Sequence, residues 1–144
     1  KFEMRVVCVA LLLASSAAAL PSIFGKVQSA AVKGKLTCNG VPAGDIKVKL
    51  YDVDTLDPDD LMAEGVSKGD GSFQLSGSEK ENTRIDPKLN IYHKCNHNGL
   101  CLKKIAIIIP KDYVSDGETA ERTFDIGEIN LAGRFSGESL DCIN

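Results

Sequence analysis

Apolar and polar residues alternate in short runs along most of this chain, and a period of two belongs to half-buried strands rather than to helices. In DIKVKLYD, Ile46, Val48 and Leu50 fall on one face and Lys47, Lys49 and Tyr51 on the other. GSFQLSG gives Phe73 and Leu75 one inward face after the turn pair Asp70-Gly71, and LNIYHKC sets Leu89, Ile91, His93 and Cys95 on one side. LKKIAIIIP carries Ile105, Ile107 and Ile109 on one face and Ala106 and Ile108 on the other, so it is expected to be covered on both sides as the central strand until Pro110 stops it. VKGKLTC and DIKVKLYD, separated by the turn residues of CNGVPAG, are expected to pair as sequential antiparallel strands. In RTFDIGEINL the inward parity passes from Phe124 and Ile126 to Ile129 and Leu131, which requires one extra residue, a bulge, at Gly127-Glu128. The single helical hint is a short turn near DPDDLMAEG. About seven such strands with turn chemistry between them predict an all-β fold, an antiparallel sandwich.

The compartment is read from the beginning of the sequence. Met4 and Arg5 precede the apolar run VVCVALLLA, which passes into SSAAAL, the order of a secretory signal, with cleavage expected after Ala18, Ala19 or Leu20. That run falls short of the roughly 20 apolar residues that span a bilayer, so the protein is not expected to be membrane-spanning. Residues 1–20 are thus assigned to a removed signal and 21–144 to a single domain. At ~120 residues such a domain has a modest core and benefits from cross-links. The whole sequence carries a net charge of −3, and loss of Lys1, Glu3 and Arg5 leaves it one unit more acidic. Nucleic-acid partners are excluded on that balance.

Cys8 leaves with the signal, and the four remaining cysteines, Cys38, Cys95, Cys101 and Cys142, are expected to form two disulfides in an oxidising compartment. Between them lies IYHKCNHNGLC, where His93, Cys95, His97 and Cys101 are four metal-ligand types in one short loop. Their order, His-x-Cys-x-His-x3-Cys, departs from the paired Cys-x2-4-Cys and His-x3-5-His spacings of zinc sites. A hairpin with His97, Asn98 and Gly99 as its loop would place Cys95 opposite Cys101, within disulfide reach. The expected pairs are therefore Cys95 with Cys101 and Cys38 with Cys142, and no reduced thiol remains for a Cys-His nucleophile. His93 reads as a partly buried strand histidine with a hydrogen-bond partner and His97 as a solvated loop residue.

The acidic segment YDVDTLDPDD holds Asp52, Asp54, Asp57, Asp59 and Asp60 but lacks the EF-hand order, so it reads as a solvated loop. Lys47, Lys49, Lys103 and Lys104 read as solvent faces of strands that could meet an anionic surface. No Asn-x-Ser/Thr site, phosphate loop or nucleophile elbow occurs. No metal and no cofactor are expected.

GKLTCNGVPAGDIKVKLYD, DPDDLMAEGVSKGDGSFQLSG and IDPKLNIYHKC with LKKIAIIIP together resemble the nematode transthyretin-like family of small secreted proteins, over residues 32 to 132. The resemblance implies a Greek-key β-sandwich of seven or eight strands and an extracellular binding or bridging role, with a protein, cell-surface, lipid or small apolar ligand and no enzymatic activity. The alternative on the same fold is a hydrolase of the 5-hydroxyisourate type, using His93 or His97 with Lys104 as electrostatic partner. That hydrolase pattern ends in Tyr-Arg-Gly-Ser, whereas this chain ends GESLDCIN, so no catalytic residue carries over.

Overall fold

The computed structural model describes residues 24–144; the expected signal at 1–20 lies outside the described residues. Ten strands fold as two facing sheets: β1 (Lys26–Cys38), β2 (Val41–Pro42), β3 (Lys47–Asp52), β4 (Asp60–Val66), β5 (Ser72–Glu81), β6 (Pro87–His93), β7 (Leu102–Ile108), β8 (Ser115–Asp116), β9 (Thr123–Asn130) and β10 (Ser139–Asp141). β2 and β8 are two-residue bridges, and the helical content among the described residues is one 3-10 turn, Lys111–Tyr113.

The first sheet is built on β1, which pairs with β5, β8 and β2 antiparallel and with β9 parallel. The second runs β10-β7-β6-β3-β4, with every ladder antiparallel. Val32 and Leu36 from the first sheet and Val48, Leu50, Leu89 and Ile91 from the second are fully buried between them. Each such side chain contributes about 1.5–3 kcal/mol of transfer free energy.

The parity switch in β9 is the expected bulge. Lys33 faces Asp125 while Lys35 faces Glu128, so Gly34 alone opposes Ile126 and Gly127. Gly127 takes φ +71, which suits glycine, and a Cβ on Gly34 would lie 2.4 Å from Cγ1 of Ile126. Phe124 and Ile126 before the bulge and Ile129 and Leu131 after it all pack on the core.

Three expectations are corrected. First, the segments VKGKLTC and DIKVKLYD do not pair, because β1 and β3 belong to different sheets. Asn39 (φ 52) and Gly40 (φ 79) make a two-residue turn with both φ positive, but the hairpin runs for only two pairs: the Ala43 N–H still donates to the Leu36 carbonyl at 2.9 Å, while the Leu36 N–H donates to the Gly71 carbonyl at 2.8 Å and the ladder stops. Asp45, at φ 57, then turns the chain into the second sheet. Second, the helical hint at DPDDLMAEG becomes β4, because pairing with β3 from Asp60↔Asp52 to Val66↔Lys47 overrides a weak local preference. Third, β6 and not β7 is central. β7 has β6 on one side and only the three-residue β10 on the other, so Ala106 is exposed and Ile108 is 67% exposed. On β6 even the outward Asn90 and Tyr92 are buried: Nδ2 of Asn90 donates to the Tyr92 hydroxyl at 3.2 Å and the Lys49 ammonium lies 5.7 Å from the Tyr92 ring centre.

Candidate functional site

Both bonds expected among the four cysteines form, but with different partners. Cys38 joins Cys95 across the two sheets, with Cα atoms 5.8 Å apart, and Cys101 joins Cys142 within the second sheet, with Cα atoms 4.3 Å apart. The β6–β7 register is the predicted one, and continuing it past His93↔Lys103 would oppose Cys95 to Cys101. The ladder stops first. Asn96 adopts φ 52 and the His97 N–H donates to the Lys94 carbonyl at 3.0 Å, so the strands turn apart. Cys95 keeps the inward phase of Leu89 and Ile91 and is buried, which carries its sulfur to the end of β1. Cys101 instead meets Cys142 one step beyond the Asp141↔Leu102 pair. Asn39 and Asn96, each just past its cysteine and each at φ 52, exchange side-chain amide hydrogen bonds of 2.9 Å beside the inter-sheet bond.

His93 lies against this braced end and is 1% exposed. Its Nδ1 accepts the Cys95 N–H at 3.1 Å, which fixes the neutral ring with the proton on Nε2. That Nε2 points at Oε1 of Glu138, 3.9 Å away, and neither buried atom has a hydrogen-bond partner. Lys103 holds the same Glu138 oxygen at 3.4 Å. Burial pushes the His93 imidazole below its ordinary value; Glu138 opposes that shift, and Lys103 and His97 reinforce it. Glu138 is a neighbour that no local spacing announces, since it arrives from the segment before β10.

The residues named for a hydrolase site are not brought together. His93 pairs with Lys103, so Lys104 projects from the opposite face of the sheet, where its ammonium lies 3.6 Å from Asp141. His97 is not free in its loop, because Nε2 hydrogen-bonds the Cys101 carbonyl at 2.9 Å.

Two surface regions have opposite character. A groove of about 570 Å³ is lined by Lys33, Lys35, Lys68, Ser72, Gln74 and Asp125, with Gly34 and Gly127 at the bulge. Lys33 and Lys35 project side by side because they sit two residues apart on β1. Further along β5 the charge reverses: Asp52, Asp54 and Glu81 bring carboxylate oxygens within 4.8 Å of one another, which is close enough to share a metal ion. From Gln74 to Glu81 the strand advances roughly 24 Å, so the two regions lie at different ends of the sandwich. Burial raises the Asp52 carboxyl; its Oδ1 accepts the Asp86 N–H at 2.7 Å, which acts the other way, while Asp54 and Glu81 add repulsion. Beside this group, Asp59 pairs with Lys88 at 2.5 Å through Oδ2 and accepts the Asp54 N–H at 3.3 Å through Oδ1. Sequence reading took Asp52 and Asp54 as part of a solvated loop, whereas Asp52 is buried at the end of β3 and meets Glu81, which comes from the other sheet.

A profile of the transthyretin-like family (TTR-52) matches residues 33–110. Transthyretin-like protein 5 of Caenorhabditis elegans is 49% identical over 144 residues, a match covering 98% of this chain and 100% of that one. Transthyretin-like protein 33 of the same organism is 45% identical over 143 residues, covering 97% and 98%, and transthyretin-like protein 2 is 43% identical over 142 residues, covering 93% and 95%.

Proposed function

From the premise that this chain belongs to the transthyretin-like family, we propose that it is a secreted, non-enzymatic binding module that bridges partners outside the cell. Residues 1–20 direct export and are removed, and residues 21–144 form the working domain. The observation that carries this reading is the concave groove with Lys33, Lys35 and Lys68 in a chain whose net charge is −3. Three ammonium groups in an open groove, with Ser72 and Gln74 as hydrogen-bonding companions, suit an anionic group on a cell surface, a lipid headgroup or a small ligand. Asp125 beside them selects against a pure polyanion and for a ligand that also carries a donor. The acidic end lies away from the groove, which leaves it free for a second partner, as bridging requires.

Sedimentation of the purified, oxidised protein with vesicles tests this, comparing neutral vesicles with vesicles containing anionic lipid at physiological salt. At about 1 kcal/mol per lysine, loss of the three charges alone weakens binding by about two orders of magnitude, so reversing Lys33, Lys35 and Lys68 to glutamate should weaken it by at least that much. Binding that is unchanged by the triple reversal would remove the groove from the account. Turnover of 5-hydroxyisourate that disappears in His93→Ala would replace it with the hydrolase reading.

A further inference from the structure

The two disulfides differ in what surrounds them. Cys95 is buried and braces the two sheets, whereas Cys142 is exposed, Cys101 is partly so, and their neighbours Leu100 and Ile143 stand almost wholly in solvent. What the second bond holds is small. β10 pairs with β7 through Ser139↔Lys104, Leu140↔Lys103 and Asp141↔Leu102, and Leu140 is itself exposed. The arm's remaining ties include the Lys103–Glu138 and Lys104–Asp141 ion pairs, the 3.9 Å approach of His93 to Glu138 and a hydrogen bond from Lys49 to Asn144. Partly exposed ion pairs are individually weak, and a three-residue edge strand has little apolar surface to bury. The hydrogen bonds from the Ile143 and Asn144 N–H groups to Asp141 are internal to the arm and do not fasten it.

We infer that Cys101–Cys142 is a thiol-exchange site, with Cys142 the sulfur attacked, and that its opening releases the C-terminal arm and bares the edge of β7. The co-reactant class is an extracellular thiol or dithiol reductant. Its thiolate attacks Sγ of Cys142, the bond to Cys101 breaks, and Cys101 leaves as a thiolate that takes a proton from water. A second thiol displaces the mixed disulfide, so two reductant thiols are oxidised to one disulfide while Cys101 and Cys142 are reduced to thiols. With the arm gone, the Leu102–Lys104 edge of β7 that β10 covers faces solvent. The inference stands apart from the ligand groove, which is formed by the first sheet, the turn before β5 and Val66 at the end of β4, the edge of the second sheet opposite to β10.

The test uses the full oxidised chain, pulsed with glutathione or dithiothreitol, alkylated at intervals and mapped by peptide mass. Because the inter-sheet bond must wait for a larger opening, Cys101 and Cys142 should be alkylated at least about tenfold faster than Cys38 and Cys95. Glutathione should be trapped on Cys142 in preference to Cys101. Hydrogen exchange should rise at Leu102–Lys104 while β6 stays protected, and the Cys101→Ser/Cys142→Ser variant should show that pattern without reductant. Equal rates for both pairs, earlier loss of Cys38–Cys95, an adduct chiefly on Cys101, or an unchanged β7 edge in the reduced chain or the double variant would each overturn the inference.

Discussion

Removing the inter-sheet bond by Cys38→Ala/Cys95→Ala is the sharpest perturbation this fold offers. The bond closes a separation of 57 residues, which the chain-entropy relation converts to about 4.2 kcal/mol of stability at room temperature. Truncating Cys95, which is buried, adds of the order of 1 kcal/mol for the cavity left behind. The adjoining Asn39–Asn96 amide pair is exposed and, at about 1 kcal/mol, is no substitute. Urea titration of the oxidised variant should therefore show a loss of about 4–5 kcal/mol, and the melting temperature should fall by about 15 °C. The same variant reports the connectivity. Cys101–Cys142 survives intact in it, so thiol titration should find no free sulfhydryl, whereas a native Cys95–Cys101 and Cys38–Cys142 pairing would leave Cys101 and Cys142 both orphaned. A loss below about 1 kcal/mol, or two titratable thiols per chain, would refute both the pairing and the calculation built on it.

Two further outcomes follow from the packing. At Gly77 an added Cβ would lie 2.5 Å from the carbonyl oxygen and 2.7 Å from the carbonyl carbon of Met62, so Gly77→Ala must push β4 off β5; a loss of at least about 3 kcal/mol is expected in chemical denaturation. The folded chain holds His93 below its ordinary value near 6.5, so its stabilising contribution is complete above that pH and is lost as pH falls through the lower folded value. Unfolding free energies between pH 8 and 5 should show wild type losing up to about 1.4 kcal/mol per pH unit relative to His93→Asn in the acid limb; parallel curves would remove burial of the neutral ring as the cause.

What was legible in the sequence is what a single strand records about itself. The parity of Val48 and Leu50, of Phe73 and Leu75, and of Leu89 and Ile91 reports which side faces the core, and all six are buried. The switch at Gly127 was legible for the same reason, since a bulge changes parity locally. Partnership between strands leaves no such mark. β1 and β9 lie at opposite ends of the described chain and run parallel, and nothing in either segment distinguishes that neighbour from an antiparallel one. The cysteines show both cases. Cys95 carries the inward parity of Leu89 and Ile91, a signal that it faces the other sheet, but the three-residue loop of the predicted hairpin outweighed it. The positive φ of Asn96 that divides the two sulfurs is a property of the folded connection. The candidate site suffers most, because Lys68 joins Lys33 and Lys35, and Glu81 joins Asp52, only through the meeting of separate elements.

The observed connectivity also decides whether one bond can open while the other holds. Cys38–Cys95 encloses β2 to β6, and Cys101–Cys142 encloses β7 to β10, so the two covalent loops follow one another along the chain without overlap. Their entropic contributions, about 4.2 and 3.9 kcal/mol for separations of 57 and 41 residues, then add nearly independently. In a nested arrangement of Cys38–Cys142 around Cys95–Cys101, cutting the outer bond would release the first strand and the C-terminus together and leave only a short hairpin clasped. Here, cutting Cys101–Cys142 relaxes the unfolded ensemble and frees a three-residue edge strand, while β1 and β6 stay joined through Cys38–Cys95. The loss in Cys101→Ser/Cys142→Ser should consequently appear as a lowered denaturant midpoint with a somewhat larger m-value, because the two-sheet core buries the same surface while the unfolded chain, no longer cross-linked, exposes more.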